Sequence, residues 1–397
     1  MEFVQSQRMS GVSGSIIREL FKLTAAPDMI SFAGGNPSPE AFPTREIADI
    51  AYDALSNRGT SMLQYGLSEG YPPLRNEVKR YLKEKYGFPR EEDDTLIVSG
   101  GQQCADLTAK ILLNEGDGVI CEELSFVGVL NTLRSYGAKL TGVPMESDGM
   151  NLEALKKAME TTPRPKLLYI IPNFQNPTGF TTSWEKRKAI YAMAKEHGLF
   201  ILEDDPYGEL RFGGDPVPPI KSLDTEGIVI HAGSFSKTMA PAFRLGFITA
   251  NKALIARLVV AKQCTDVHST TLFQEICYRY MTEHDYAGHI AMVSRLYGEK
   301  CECMLSNMEK YFHPSVRFNR PQGGLFVTAF LPEGMDAYPF VTEGIRRKVA
   351  CVPGVAFVMD PARPSNAFRM NYSMPTMEQI ETGIRILGQL TWELLDK

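Results

Sequence analysis

The sequence predicts an α/β fold, a mostly parallel seven-stranded sheet flanked by helices, with a smaller α+β domain attached. Three observations predict it. Between residues 95 and 249, short apolar runs alternate with amphipathic stretches of helical period, the pattern of crossover units in a parallel sheet covered on both faces. The segment 245–249 follows a strand at 228–230 after too few residues for a helical crossover, which predicts an antiparallel strand. After about 297 the alternation stops, and short strands gather around two helices. At 397 residues the chain is long enough for two domains and a substantial core. The large domain is placed at 45–297; the N-terminal arm, 1–44, joins 298–397 in the small domain.

Taken in order, residues 1–29 form a polar arm with one amphipathic stretch at 16–23. Ile16, Ile17, Leu20, Phe21 and Leu23 make one helical face there, with Arg18 beside it. A solvated helix charge is the ordinary role of such an arginine. Gly34 and Gly35 permit close backbone approach to something small, or simply a turn. A Pro-rich hinge follows to Pro43, and Thr44 is expected to cap a helix over 45–56. A loop at 64–72 holds Tyr65 and precedes a helix over 74–86. Strand 95–99 runs into Gly100-Gly101-Gln102-Gln103, which opens a helix to about 113. Strands are expected at 118–121, 139–143, 166–171, 199–202 and 228–230, with helices near 126–136, 151–160 and 183–197. In the small domain a long helix ends near Tyr311. Strands at 316–318, 323–327, 349–352 and 368–371 and helices at 337–347 and 376–390 complete it.

Composition narrows the function. A formal net charge of -5 without any basic block argues against a nucleic-acid binder. The seven cysteines are scattered, and Cys301 and Cys303 lack a matching His/Cys pair for zinc, so no metal is expected. The opening residues lack an apolar signal core. The apolar stretch at 253–261 is broken by Arg257 and too short for a bilayer, so a cytoplasmic protein without a membrane partner is expected.

In open α/β sheets ligands sit beyond the carboxyl ends of the strands, and that rule picks out four places. Gly100-Gly101-Gln102 opens a helix whose free amides and dipole favour an anion such as phosphate. Asn173-Phe174-Gln175-Asn176-Pro177-Thr178-Gly179 follows a buried strand and offers Asn176 as a fixed donor. Glu203-Asp204-Asp205-Pro206-Tyr207 follows another and places acids where an unpaired carboxylate is costly, although helix capping would also suit them. The fourth is Ser234-Phe235-Ser236-Lys237-Thr238, with Arg244 behind it. A desolvated lysine there could lose its proton near neutral pH and attack a carbonyl, while two hydroxyls and an arginine fork suit a phosphate. A lone lysine in a polar loop would more often be a solvated charge.

A pyridine ring unites the four places: its nitrogen needs a buried carboxylate, its oxygen donors, and its face an apolar or aromatic floor. Asn176-Pro177-x-Gly179, Asp204-x-x-Tyr207 and Ser234-x-Ser236-Lys237-x-x-x-Pro241-x-x-Arg244 together resemble the ordered signature of the class I/II aminotransferases, the fold-type-I pyridoxal-phosphate enzymes. The likeness runs from about Ile16 to the C-terminus. Ile17-Arg18-Glu19, the Ile30 to Gly35 segment and Glu203 to Tyr207 bring it nearest to the 2-aminoadipate/kynurenine branch. Asn36, where these relatives often carry Leu, and Gly101, where many carry Ser, depart from it.

The resemblance implies pyridoxal 5'-phosphate as cofactor and Lys237 as its covalent partner and proton carrier. It implies that Asp204 pairs with the ring nitrogen, with Asp205 as the alternative, and that Asn176 and Tyr207 bind the ring oxygen. Phe126 stacks on the ring, and Ser234, Ser236, Arg244 and the Gly101 and Gln102 amides hold the phosphate. Tyr65 reaches that phosphate from the neighbouring subunit of a homodimer. Arg369 clamps the substrate α-carboxylate beside Gly35 and Asn176, and Arg18 reads a second, acidic group. The reaction implied is transfer of an amino group from an amino acid to a 2-oxo acid, 2-oxoglutarate being expected, in ping-pong order. Aromatic, branched and aminoadipate-type donors are expected. A β-lyase of the same fold is the alternative. A ligand-sensing domain of a transcription regulator is disfavoured, because only about 30 residues precede Gly34-Gly35.

Overall fold

Strands buried on both faces need apolar side chains at nearly every position, and the middle of this chain supplies them. Leu167, Leu168, Tyr169 and Ile170 are all buried, as are Val119, Ile120 and Cys121. The computed structural model describes residues 4–10, 12, 28–360 and 362–396. In chain order its strands are β1 (Ile30–Ser31), β2 (Asp93–Val98), β3 (Gly118–Glu122), β4 (Lys139–Val143), β5 (Met145–Glu146), β6 (Gly149–Met150), β7 (Pro165–Ile170), β8 (Phe200–Asp205), β9 (Val229–Ser234), β10 (Gly246–Asn251), β11 (Arg317–Phe318), β12 (Phe326–Phe330), β13 (Val349–Ala350), β14 (Val352–Pro353) and β15 (Ala367–Asn371).

Seven of these form one sheet in the order β2-β10-β9-β8-β7-β3-β4. Strand β10 is antiparallel to both its neighbours, as its short connection predicts, and the other pairings are parallel. Parallel pairing forces every crossover helix to return the chain, so the carboxyl ends of β3, β7, β8 and β9 open on one edge of the sheet. Helices Gly101–Leu112, Val127–Ser135, Leu152–Thr161 and Trp184–Glu196 supply the crossovers. Two of their starts are chemically marked: Asn151 accepts from the Ala154 amide and Ser183 from the Lys186 amide, satisfying donors a helix end leaves unpaired.

A second sheet, in the order β11-β12-β15-β14, packs with helices Ala337–Arg346 and Met377–Leu395. The latter starts with a capping box, Thr376 to Gln379. Strand β1 pairs with β13, and the Phe32 amide bonds to Ala350 O, which ties the chain just before Gly35 to this part of the structure.

Several boundaries differ from expectation. Thr44 is the first residue of its helix and makes no cap; that helix runs to Met62, beyond 56, because Met62 is buried along with Ile50 and Ala54. The strand expected at 228–230 continues to Ser234, held by pairing to β8 and β10 although His231 and Gly233 weaken its pattern. The strand expected at 323–327 starts only at Phe326, since Gly324 takes φ +76° in a turn against Phe174. The helix expected at 376–390 extends to Leu395. The amphipathic stretch at 16–23, with Arg18, lies outside the described residues. No described helix is long and apolar enough to cross a membrane.

Candidate active site

The carboxyl ends of β8 and β9, the start of helix Gly101–Leu112, β15 and the strap around Gly35 enclose a cavity of about 350 Å³. Gly35, Gly101, Gln102, Phe126, Asn176, Asp204, Tyr207, Ser234, Ser236, Lys237, Arg244 and Arg369 all line it. They come from separate stretches of chain, and most are delivered by the end of an element rather than its middle. Asp204 is the penultimate residue of β8 and Ser234 the last of β9. Strand alternation separates the two adjacent acids. Asp204 faces the cavity, while Asp205 accepts from Asn173 Nδ2 at 3.0 Å and from the Gly208 amide at 2.9 Å.

Lys237 points its amine at the strap, donating to Gly35 O at 2.6 Å. Burial, and then the positive charges of Arg369 and Arg244, push its pKa down to about 8. Arg369, on β15, donates through Nη1 to Asn176 Oδ1 at 2.7 Å and through Nη2 to Ala33 O at 2.6 Å. Its Nε is buried without a partner among the described residues, and burial pushes its pKa down to about 10. The guanidinium lies 4.2 Å from the Phe326 ring centre and 4.9 Å from that of Phe357, contacts that favour a desolvated cation. Burial pushes the Asp204 carboxyl up to about 7, opposed by a hydrogen bond from Tyr169.

The phosphate-type corner rests on one close approach and one unusual backbone conformation. Gly100 has φ +85°, and a Cβ there would meet Arg244 Nη2 at 2.7 Å, so only glycine lets the guanidinium close on the turn. Arg244 itself has φ +50°, a conformation non-glycine residues seldom adopt and one that recurs at functional sites. The first amides of the helix from Gly101 have no intrahelical acceptor. Gln102 directs its side chain to Gly128 O at 2.9 Å and to Thr132 Oγ1.

Two expected residues are not brought there. Tyr65 is 82% exposed and lines a separate depression with Arg58, Met62 and Tyr71. Arg18 lies outside the described residues. The sequence reading also missed Phe326, Ala33 and Ile171 as lining residues. A large aromatic soon after Gly323-Gly324 was the available signal for Phe326. Ala33 and Ile171 carry no chemical signal at all.

These residues fit pyridoxal phosphate. A buried carboxyl raised by desolvation suits a ring cation, and an unpaired buried guanidinium N–H suits a substrate anion. A lowered amine beside two hydroxyls, an arginine and open helix amides suits a carbonyl next to a phosphate.

The protein-family model for Aminotransferase class I and II matches residues 27–387. Aromatic-amino-acid aminotransferase 1 of Thermococcus litoralis is 36% identical over 99% of this chain and 95% of its own length. The structure of a Pyrococcus horikoshii kynurenine aminotransferase, with PMP, KYN and KYA, superposes with a TM-score of 0.94 at 34% identity, over 98% of this chain and 97% of that one. LysN, the α-aminoadipate aminotransferase of Thermus thermophilus, complexed with N-(5'-phosphopyridoxyl)-L-leucine, gives 0.90 at 36% identity, over 99% and 98%. The match spans the sheet, the cavity and the smaller domain alike, and this chain therefore belongs to the class I and II aminotransferases, as a pyridoxal-phosphate-dependent transaminase of the branch its sequence resembles.

Proposed function

We propose that this transaminase moves the amino group of aromatic, branched or aminoadipate-type amino acids to a 2-oxo acid, with 2-oxoglutarate as acceptor, in two ping-pong half-reactions. The observation that carries the reading is the meeting of an uncompensated amine, a buried carboxyl and a buried arginine in one cavity. The relatives named for aromatic amino acids, kynurenine and α-aminoadipate support the donor range.

Pyridoxal phosphate, when bound, supplies an electron-accepting ring that acidifies the substrate's Cα–H bond. Asp204 pairs with the ring nitrogen, Asn176 and Tyr207 serve the ring oxygen, and Phe126 covers a ring face. Ser234, Ser236, Arg244 and the Gly101 and Gln102 amides hold the phosphate, joined by Tyr65 of the partner subunit in a cytoplasmic homodimer. Arg369 orients the amino acid by its carboxylate next to Gly35, which places the Cα proton within reach of one base. Lys237 holds the cofactor first and then takes that proton and returns it, a task suited to an amine whose pKa lies near 8. Arg18 meets the second carboxylate of acidic donors. Residues 45–297 form the large domain, and 1–44 with 298–397 the small one.

The test is single turnover. Loaded protein given leucine alone should lose its carbonyl-form absorbance once, and 2-oxoglutarate should restore it. With an S-substituted cysteine as donor, release of the thiol, ammonia and pyruvate with the absorbance retained would make the chain a β-lyase instead. Borohydride reduction should fix the cofactor on the peptide that contains Lys237.

A further inference from the structure

Tyr169 is fully buried in β7 and belongs to none of the four motifs. Its neighbours are leucine and isoleucine, so its hydroxyl is the one polar side-chain atom in the run from Leu167 to Ile171. A buried phenol needs a partner. Tyr169 finds it in Asp204, donating to Oδ2 at 2.9 Å. In the register of β7 and β8, Tyr169 lies beside Leu202, so its side chain leans along the sheet face that Leu202 and Asp204 share.

The other carboxylate oxygen has a different outlook. Asp204 Oδ1 lies 3.7 Å from the place a Cβ on Gly101 would take, at the turn that opens the cavity. Asp204 lines the cavity, and Tyr169 does not. One oxygen is therefore held from behind by the phenol and one is presented to the site. Around this carboxyl stand Glu122 of β3, Cys104 of helix Gly101–Leu112, His231 of β9, Asp205 on its own strand, and Tyr207. Among these groups, Tyr169 makes the direct hydrogen bond to Asp204. Burial and the Asp204 charge hold its phenol well above its ordinary range, so it remains a donor at every working pH.

We infer that Tyr169 is a positioning residue: its hydroxyl fixes the rotation of the Asp204 carboxylate and keeps it anionic, so that Oδ1 can pair with the protonated ring nitrogen of the cofactor. The inference rests on the proposed role of Asp204. Tyr169→Phe keeps the ring that fills the core and removes only the donor.

The experiment compares two cofactors on the resolved and reloaded enzyme, pyridoxal phosphate and its 1-deaza analogue, which has no ring nitrogen to pair. Tyr169→Phe should weaken pyridoxal phosphate about ten- to a hundredfold, the scale of one hydrogen bond to a charged group. The loss should grow as pH falls from about 8 to about 6, where Asp204 now protonates more readily. Binding of the deaza analogue and of inorganic phosphate should change less than about threefold, which a general loosening of the core would not allow. Equal losses for both cofactors, or no loss for either, would overturn the inference and leave Tyr169 a packing residue. If wild-type protein itself binds the two cofactors equally, the ring-nitrogen role of Asp204 fails, and the inference fails with it.

Discussion

Lys221 and Lys237 sit near opposite ends of one sheet, and the protein treats their charges in opposite ways. At the amino end, Lys221 is fully buried and donates to Asp93 Oδ1 at 2.8 Å and to Asp224 Oδ2 at 2.9 Å. At the carboxyl end, Lys237 is only partly buried, yet a carbonyl is its hydrogen-bond partner and two arginines are its charged neighbours. The buried arginines repeat the contrast. Arg187 spends all three nitrogens on the carbonyls of Pro172, Thr182, Val217 and Pro218 and on Asn173 Oδ1. Arg369 keeps Nε unpaired among the described residues. A buried charge with its partners inside the chain ties the fold together, and one with partners missing costs stability that a bound ligand would relieve.

The sharpest test exchanges the two lysines' fates. Lys237→Ala should lower turnover by at least about four orders of magnitude without lowering the urea midpoint, since it strands no buried carboxylate. Lys221→Ala should do the reverse, costing about 3–5 kcal/mol of stability, because Asp93 and Asp224 lose the cation buried between them, and sparing turnover in what remains folded. Similar unfolding curves for the two variants would end the comparison.

The adjacent acids allow a second test of nearly the same size. Asp204→Ala should raise the barrier by about 4 kcal/mol or more, read as single-turnover rate. Asp205→Ala should act mainly on the Asn173 and Gly208 contacts and on stability. A crippled Asp205 variant beside a near-normal Asp204 variant would reverse their places.

A third test is pH. The Lys237 amine has a folded pKa near 8 against an ordinary 10.5. Between those values the unfolded chain binds the proton and the folded one does not, so stability of cofactor-free protein should rise with pH across that window. The gain is about 3 kcal/mol at most, and Lys237→Ala should flatten it. A wild-type protein as flat as the variant across the window would show that the amine is compensated after all.

The smallest effect concerns Arg18. Arg18→Ala should cost acidic donors about 1.5–3 kcal/mol in kcat/KM and leave leucine nearly unchanged. Equal losses with glutamate and leucine would give Arg18 a role in the arm rather than in reading the side chain.

How much of this was legible depends on what a residue's signal consists of. Lys237 and Asn176 are polar residues in the loops that leave buried strands, Asp204 lies at the end of one and Arg369 lies inside another, places where a site explains them best. The antiparallel turn of β10 followed from a chain length. Which of Asp204 and Asp205 faces the cavity did not, because it depends on the register of β8, and one residue of shift exchanges the faces. Phe326 and Tyr169 look like ordinary core aromatics, and their roles exist only across strands. The end of the helix at 44–62 lies beyond what its periodicity marks, because helical period weakens where packing, rather than propensity, holds the last turns.

The strap near Gly35 is hydrogen-bonded to the residues around the second sheet. Phe32 N bonds to Ala350 O, Asn371 N to Phe32 O, Ser373 Oγ to Asn36 O and Arg369 Nη2 to Ala33 O. Its link to Lys237 therefore works as a latch between the two sheets, and the latch is the same amine that is proposed to bind the cofactor. Reciprocity then sets a rule: whatever free energy the latched strap takes from cofactor binding, the bound cofactor takes from the latch. Loading the site should free the hinge as well as arm the chemistry, and backbone hydrogen exchange at residues 33–36 should quicken when the cofactor binds; slower exchange there would mean that the loaded amine still holds the strap.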